Sequence, residues 1–192
     1  MSETPVQARR WTRVEYDRLI EVGIFRPGDK VELLGGQLCV SEPQNSPHAT
    51  AISLVAEALR QAFPGLWHIR IQLPIALDEE SEPEPDLTVV SGRPRDYLGD
   101  HPARPVLVVE VADSSLALDR EHKGSLYARA RLRDYWLVNL VDRLLEVYRE
   151  PGPDATASHG WAYRSIQRLN AERSVTPLAA PTTRIAVADL LP

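Results

Sequence analysis

Glu84-Pro85-Asp86-Leu87-Thr88-Val89-Val90, then Pro105-Val106-Leu107-Val108-Val109-Glu110-Val111, then a helical segment carrying Lys123, decide the fold of this chain. The two apolar runs read as strands over 87–90 and 106–111. The second is nearly continuous in apolar residues, which predicts burial on both faces. Asp86 opens the first strand and Glu110 lies near the end of the second. Residues 116–131 predict a helix. At ~100° per residue, Leu116, Asp119, Lys123, Leu126, Tyr127 and Ala130 share one face. Lys123 therefore lies inside the apolar stripe, whereas Ser125 and Arg129 mark the solvent side. Its stem could snorkel to water; burial beside carboxylates is the functional reading. Residues 134–140 form the next strand. The strand–helix–strand unit over 106–140 predicts a right-handed crossover between parallel neighbours.

Outward from this unit, residues 1–11 read as a flexible N-terminal tail and 12–192 as one domain, with no repeat and no long linker. Thr12-Arg13-Val14-Glu15 fits a capping box, opening a helix with Tyr16, Leu19 and Ile20 inward and Gly23 at its end. Arg26-Pro27-Gly28-Asp29 reads as a turn. Lys30 to Val40 reads as a hairpin about Gly35-Gly36, with Glu32 facing away from Val31 and Leu33. A second helix starts at Ser46-Pro47, with Ile52, Val55, Ala56, Leu59 and Phe63 inward. His48 falls on the inward face at its start, where a packed or capping histidine is commoner than a catalyst. A strand over 67–77 carries Pro74, which suggests an edge or a bulge. The acidic run 78–84 reads as a solvated tip, and 91–105 as a surface loop. A hairpin follows over 134–149, then a flexible loop over 151–160, a strand over 161–166, and a last strand or helix near 185–191. This order describes an α/β sandwich of mixed sheet and flanking helices.

The 192 residues suffice for one domain with a real core, and 43% hydrophobic with 26% charged residues describes a globular chain. No run approaches the ~18 apolar residues of a membrane span. No basic start followed by an apolar core marks a secretory signal. These features predict a cytoplasmic protein without membrane association. The single cysteine, Cys39, excludes an intrachain disulfide and a cysteine metal cluster. The net charge of −5 argues against tight nonspecific binding to nucleic acid. It leaves room for an acidic metal site, whose charge the ion offsets locally. Of the 22 basic residues only Lys30 and Lys123 are lysines. Lysine is a compact point charge whose pKa responds to burial, and this draws attention to Lys123.

If the strands of Asp86 and Glu110 are neighbours, their carboxylates converge. Magnesium is typically held by one or two carboxylates, with waters and phosphate oxygens completing the octahedron. Such an ion polarises a scissile phosphate and acidifies the attacking water. Lys123 is placed to orient that water or to stabilise transition-state charge, and Glu32 to add a ligand. The pattern Pro85-Asp86, apolar-Glu110-Val111 and a following lysine resembles the PD-(D/E)XK nuclease superfamily. The superfamily usually has its lysine two after the second carboxylate, where this chain has Ala112; Lys123 suits the families that carry it on the next helix. More narrowly, the chain resembles the bacterial Uma-type family of restriction-endonuclease-like proteins over roughly residues 12 to 150. The matching pieces are Thr12 to Tyr16, Val31 to Gly36, Ser46-Pro47-His48, Glu84-Pro85-Asp86, Val108-Val109-Glu110-Val111, Asp119 to Lys123 with Tyr127, and Asp134 to Val138. Asp113-Ser114-Ser115 stands where the family commonly has Ser-Pro.

The resemblance implies a restriction-endonuclease-like mixed β-sheet core flanked by helices, with additional β-hairpins. It implies a site of Glu32, Asp86, Glu110 and Lys123, the three carboxylates as metal ligands, and auxiliary roles for His48, Asp119 and Tyr127. The expected activity is Mg2+-dependent hydrolysis of DNA phosphodiesters, with Mn2+ as a substitute, by a homodimer whose two sites address two strands. Two other readings compete. A nuclease-fold protein that binds nucleic acid or a protein partner without cutting agrees with the acidic charge. A two-carboxylate sugar hydrolase needs no lysine, and its activity would survive chelation of divalent metal.

Overall fold

The structure, a computed structural model, describes residues 8–26, 28–41 and 43–192. Its elements are α1 (Arg13–Glu21), β1 (Val31–Leu34), β2 (Gln37–Val40), α2 (Ser46–Ala62), β3 (Trp67–Ile71), β4 (Leu87–Ser91) and β5 (Leu107–Ala112). A π-helical turn (Leu118–Lys123) leads into α3 (Gly124–Arg129), followed by β6 (Asp134–Asn139), β7 (Leu144–Pro153), β8 (Trp161–Asn170), β9 (Ser174–Val175) and β10 (Ile185–Ala186). Single 3-10 turns lie at Pro94–Tyr97 and Val187–Leu190. No helix among the described residues is long and apolar enough to cross a membrane. The turn expected at 26–29 includes Pro27, and the expected tail includes residues 1–7; these lie outside the described residues.

Six strands pair in the order β3-β4-β5-β6-β7-β8. All neighbours are antiparallel except β5 and β6, which the α3 crossover makes parallel as expected. Side chains alternate across the pleat. Leu107, Val109 and Val111 of β5 pack with Ile52, Val55 and Leu59 of α2. Val108 and Ala112 pack on the other face with Tyr127 and Ala128 of α3. Glu110 belongs by alternation to that second face, so the crossover helix passes directly over it.

Local signals explain most elements. The Thr12 hydroxyl accepts from the Glu15 N–H while Glu15 accepts from the Thr12 N–H, the reciprocal cap expected. Gly35 and Gly36 both have positive φ at the β1–β2 turn. The inward residues expected of α2 are all buried.

Several expectations change. On α1 only Tyr16 is buried and Ile20 is exposed, because the helix covers just the short β1–β2 hairpin. The strand expected to 77 ends at Ile71, where Gln72 turns with φ 51°, although β3 is an edge strand as Pro74 suggested. The acidic run is not a solvated tip. Ser81 and Glu82 are buried, and Leu33 and Glu82 exchange backbone bonds in both directions. Arg13 pairs with Glu82 at 2.8 Å, Arg10 with Glu80 at 2.5 Å and Arg129 with Asp78 at 2.7 Å. These arginines come from distant parts of the chain and draw the run inward. The first three residues of the loop expected over 151–160 are strand instead, since Pro151–Pro153 pairs with Trp161–Tyr163.

Candidate active site

A cavity of about 390 Å³ opens where the ends of β4 and β5 meet the β1–β2 hairpin, the start of α2 and the π turn. Glu32, His48, Asp86, Glu110, Asp119 and Lys123 all line it. β1 carries Glu32, the residue before β4 is Asp86, and β5 carries Glu110. Lys123 closes the π turn above them. Tyr127, one helical turn further on, reaches Glu110 from behind the cavity.

Lys123 is the centre of the arrangement. Its Nζ lies 3.1 Å from Glu110, 3.3 Å from Glu32 and 4.0 Å from Asp119. With 6% of its surface exposed it is buried, not snorkelling. The Tyr127 hydroxyl donates to the same Glu110 oxygen at 2.6 Å, and the Asp86 N–H donates to the other at 3.2 Å. Asp86 accepts from the Val111 N–H at 2.9 Å and lies 3.1 Å from His48 Nε2. The first bond welds β4 to β5 at the level of the site. Glu32 accepts from the Ser41 hydroxyl at 2.6 Å and the Glu84 N–H at 3.0 Å. Ser115 donates to Asp119 at 2.6 Å.

Burial sets the electrostatics. It pushes the Glu110 carboxyl up to about 8, with Lys123 opposing the shift. It lifts Asp119 to about 6 against the pull of Lys123 and the Ser115 bond. Asp86 is equally desolvated, but His48, the Val111 N–H and Lys123 outweigh burial and hold it below the usual range. Burial works against the Lys123 ammonium, yet Glu110, Glu32, Asp119 and Asp86 raise its pKa well above the usual value. Burial, then Glu110, keeps the Tyr127 phenol protonated. The pocket thus holds a permanent cation between carboxylates of unequal acidity.

All seven residues singled out from the sequence meet at this place. His48 both starts a helix and touches Asp86, so its packed and functional readings hold together. Ser125, expected on the solvent side, is buried and donates to the Trp161 carbonyl. The sequence reading missed Ser41 on Glu32, and Gln44 and Gln72, whose amides reach Asp86 at 3.4 and 3.3 Å. Gln72 carried no signal in the sequence, because its N–H meets the Asp86 carbonyl, at 3.0 Å, only once β3 and β4 pair. Gln44 carried none, because it lies in a loop.

The donor chemistry suits a hard cation. Six carboxylates line the cavity, Glu32, Glu84, Asp86, Glu110, Asp113 and Asp119, against two ammonium groups, Lys30 and Lys123. Such a surplus of carboxyl oxygen, four of the six groups buried, is chemistry that a divalent ion would neutralise. Among the described residues no three His, Cys, Asp or Glu side chains form a ready-made cage. An ion held here would need further donors from outside the chain, such as water.

Comparison with known proteins agrees with this fold. A crystal structure of a putative nuclease belonging to DUF820 from Anabaena variabilis ATCC 29413 superposes with a TM-score of 0.65 at 15% sequence identity, covering 83% of this chain and 88% of the other. No curated protein sequence matches the chain. The family model Uma2, described as “Putative restriction endonuclease”, matches residues 13–188. With that match spanning nearly the whole length and the nuclease-type fold beneath it, the chain belongs to the Uma2 family.

Proposed function

We propose that this protein is a magnesium-dependent endonuclease that hydrolyses DNA phosphodiester bonds, working as a homodimer of one nuclease-like domain over 12–192. The observation that carries the reading is the buried Lys123 ammonium, 3.1 Å from Glu110 and 3.3 Å from Glu32, on the same cavity as Asp86. Asp86 and Glu110 would hold Mg2+, or Mn2+ in its place, with Glu32 as a further ligand. The ion would supply polarisation of the scissile phosphate and a more acidic attacking water. Lys123 keeps its proton at neutral pH and presents a positive charge where negative charge builds on the phosphate. His48 fixes the Asp86 carboxylate from one side while the Val111 N–H fixes it from the other. Tyr127 orients Glu110 and shields it from bulk water.

The test pairs titration calorimetry of Mg2+ and Mn2+ with plasmid nicking, on wild type and an Asp86→Ala/Glu110→Ala variant. Joint loss of binding and nicking is the expected outcome. Binding without nicking would favour the second reading, a nuclease-fold module that binds nucleic acid or protein without cutting, which the net charge of −5 supports. Absence of carboxylate-dependent metal binding would overturn the catalytic reading.

A further inference from the structure

The helix that carries Lys123 is not regular where it matters. In an α-helix the Lys123 N–H would bond the Asp119 carbonyl; here the Gly124 N–H does, five residues on. The turn therefore holds one residue more than usual, a geometry that appears mostly as an isolated bulge. Two features outside the ordinary helix pattern converge on the same carbonyl. The Tyr135 hydroxyl, from β6, donates to it at 3.0 Å. Gly124 leaves room for it: a Cβ there would sit 3.3 Å from the Asp119 oxygen and 3.7 Å from the Tyr135 ring. Gly124 has helical angles, φ −57° and ψ −44°, so its backbone freedom is not in use. A glycine in a helix interior is destabilising relative to alanine, and close approach is the compensating reason. On the outer side Arg120 of the same turn is tied to the buried Glu146 of β7.

We propose that Tyr135 and Gly124 are positioning residues. By holding the Asp119 carbonyl they keep the turn wide, and the wide turn sets the Lys123 ammonium between Glu110 and Glu32. The inference rests on reading Lys123 as the working cation of the site. Neither residue lines the cavity; the Tyr135 ring also packs on Tyr127, so it is the Tyr135 hydroxyl, not its ring, that acts through the turn.

The chain's two lysines make the test direct. In protein labelled with 13C-lysine, the Cε–Hε signal of buried Lys123 is distinguished from that of Lys30 by its loss in Lys123→Arg. Tyr135→Phe removes one hydroxyl and keeps the ring; Gly124→Ala closes the space. Tyr163→Phe is the control, because its hydroxyl is buried in the same aromatic cluster without a hydrogen-bond partner. The expected result is a shift of the Lys123 signal towards that of Lys30 in Tyr135→Phe and Gly124→Ala, and none in Tyr163→Phe. In the nicking assay kcat should fall about ten- to a hundredfold in Tyr135→Phe, with KM and Mg2+ affinity unchanged. A Lys123 signal that moves no further in Tyr135→Phe than in Tyr163→Phe overturns the proposal, whatever Gly124→Ala does to folding. If the signal moves but wild type nicks no DNA, the positioning inference stands and the endonuclease reading falls.

Discussion

Glu110 and Lys123 show why single residues in this site are sensitive. Both are buried, and each is tolerable only because of the other. Lys123→Met keeps the volume of the side chain but leaves Glu110 and Glu32 facing each other without a cation. Such a break costs roughly 3–5 kcal/mol, and denaturant unfolding should register it together with loss of nicking. The raised Glu110 pKa makes a second prediction with a definite sign. Its folded value of about 8 lies above the ordinary carboxyl value, so the folded state holds this proton more tightly than the unfolded chain. That contribution is complete below the unfolded carboxyl pKa and is lost as pH rises towards 8; Asp119, raised to about 6, acts in the same direction. Lys123 does not offset this trend, because its own raised pKa keeps it charged throughout. In the presence of EDTA, melting temperature should therefore fall between pH 5 and pH 8, and Glu110→Gln should flatten the curve. Added Mg2+ should reverse the loss at pH 8 and release protons on binding at pH 7.

At the scale of elements, the acidic run 78–84 holds the β1–β2 hairpin against the sheet. Glu82 exchanges backbone bonds with Leu33 and accepts from the Arg13 side chain. Glu32 stands beside Leu33, so the ligand proposed for the cation is positioned by a stretch that lends the cavity no carboxylate but Glu84. Glu82→Ala should cost about 2 kcal/mol, the scale of a hydrogen bond to a charged group. It should also weaken Mg2+ binding, measured by calorimetry at a temperature where the variant remains folded. This role was not legible in the sequence, because an acidic run with a proline reads as solvated loop. Only when Arg10, Arg13 and Arg129 are brought to it does it have reason to be inside. The π turn was hidden for the same kind of reason. Periodicity over 116–131 identifies a helix, but a single added residue changes the phase too little for a pattern to reveal.

At the scale of the molecule, a chain of net charge −5 has no long-range attraction for a polyanion. Under the proposed function, affinity for DNA must come from local contacts and from neutralisation of the site. Fluorescence anisotropy with a Lys123→Met variant at physiological salt and without divalent metal should give a Kd no tighter than about 1 µM, the range of nonspecific binding. Tight binding under those conditions would point to a dedicated recognition surface and towards the binding-module reading. The sheet itself presents the site at one end, where β4 begins and the parallel β5 ends, and surrounds that end with the hairpin, α2 and the crossover turn.

The sequence by itself determined the elements whose signals are local. The capping box at Thr12, the Gly35-Gly36 turn, the buried run of β5 and the stripe of α2 follow from neighbouring residues alone. It also picked out residues that the structure brings to one cavity: two strand carboxylates and a lysine within an apolar helix face are legible from spacing, and Glu32 from its place in the hairpin. Only the tertiary structure decided how these groups are balanced. Whether Glu32 or Glu82 is buried, which carboxylate stays acidic and where Lys123 points depend on partners as far as 91 residues away, as in Val111 to Asp86 and Lys123 to Glu32. Desolvation and Coulomb energy depend on distance in space, and no local pattern in the chain encodes that distance.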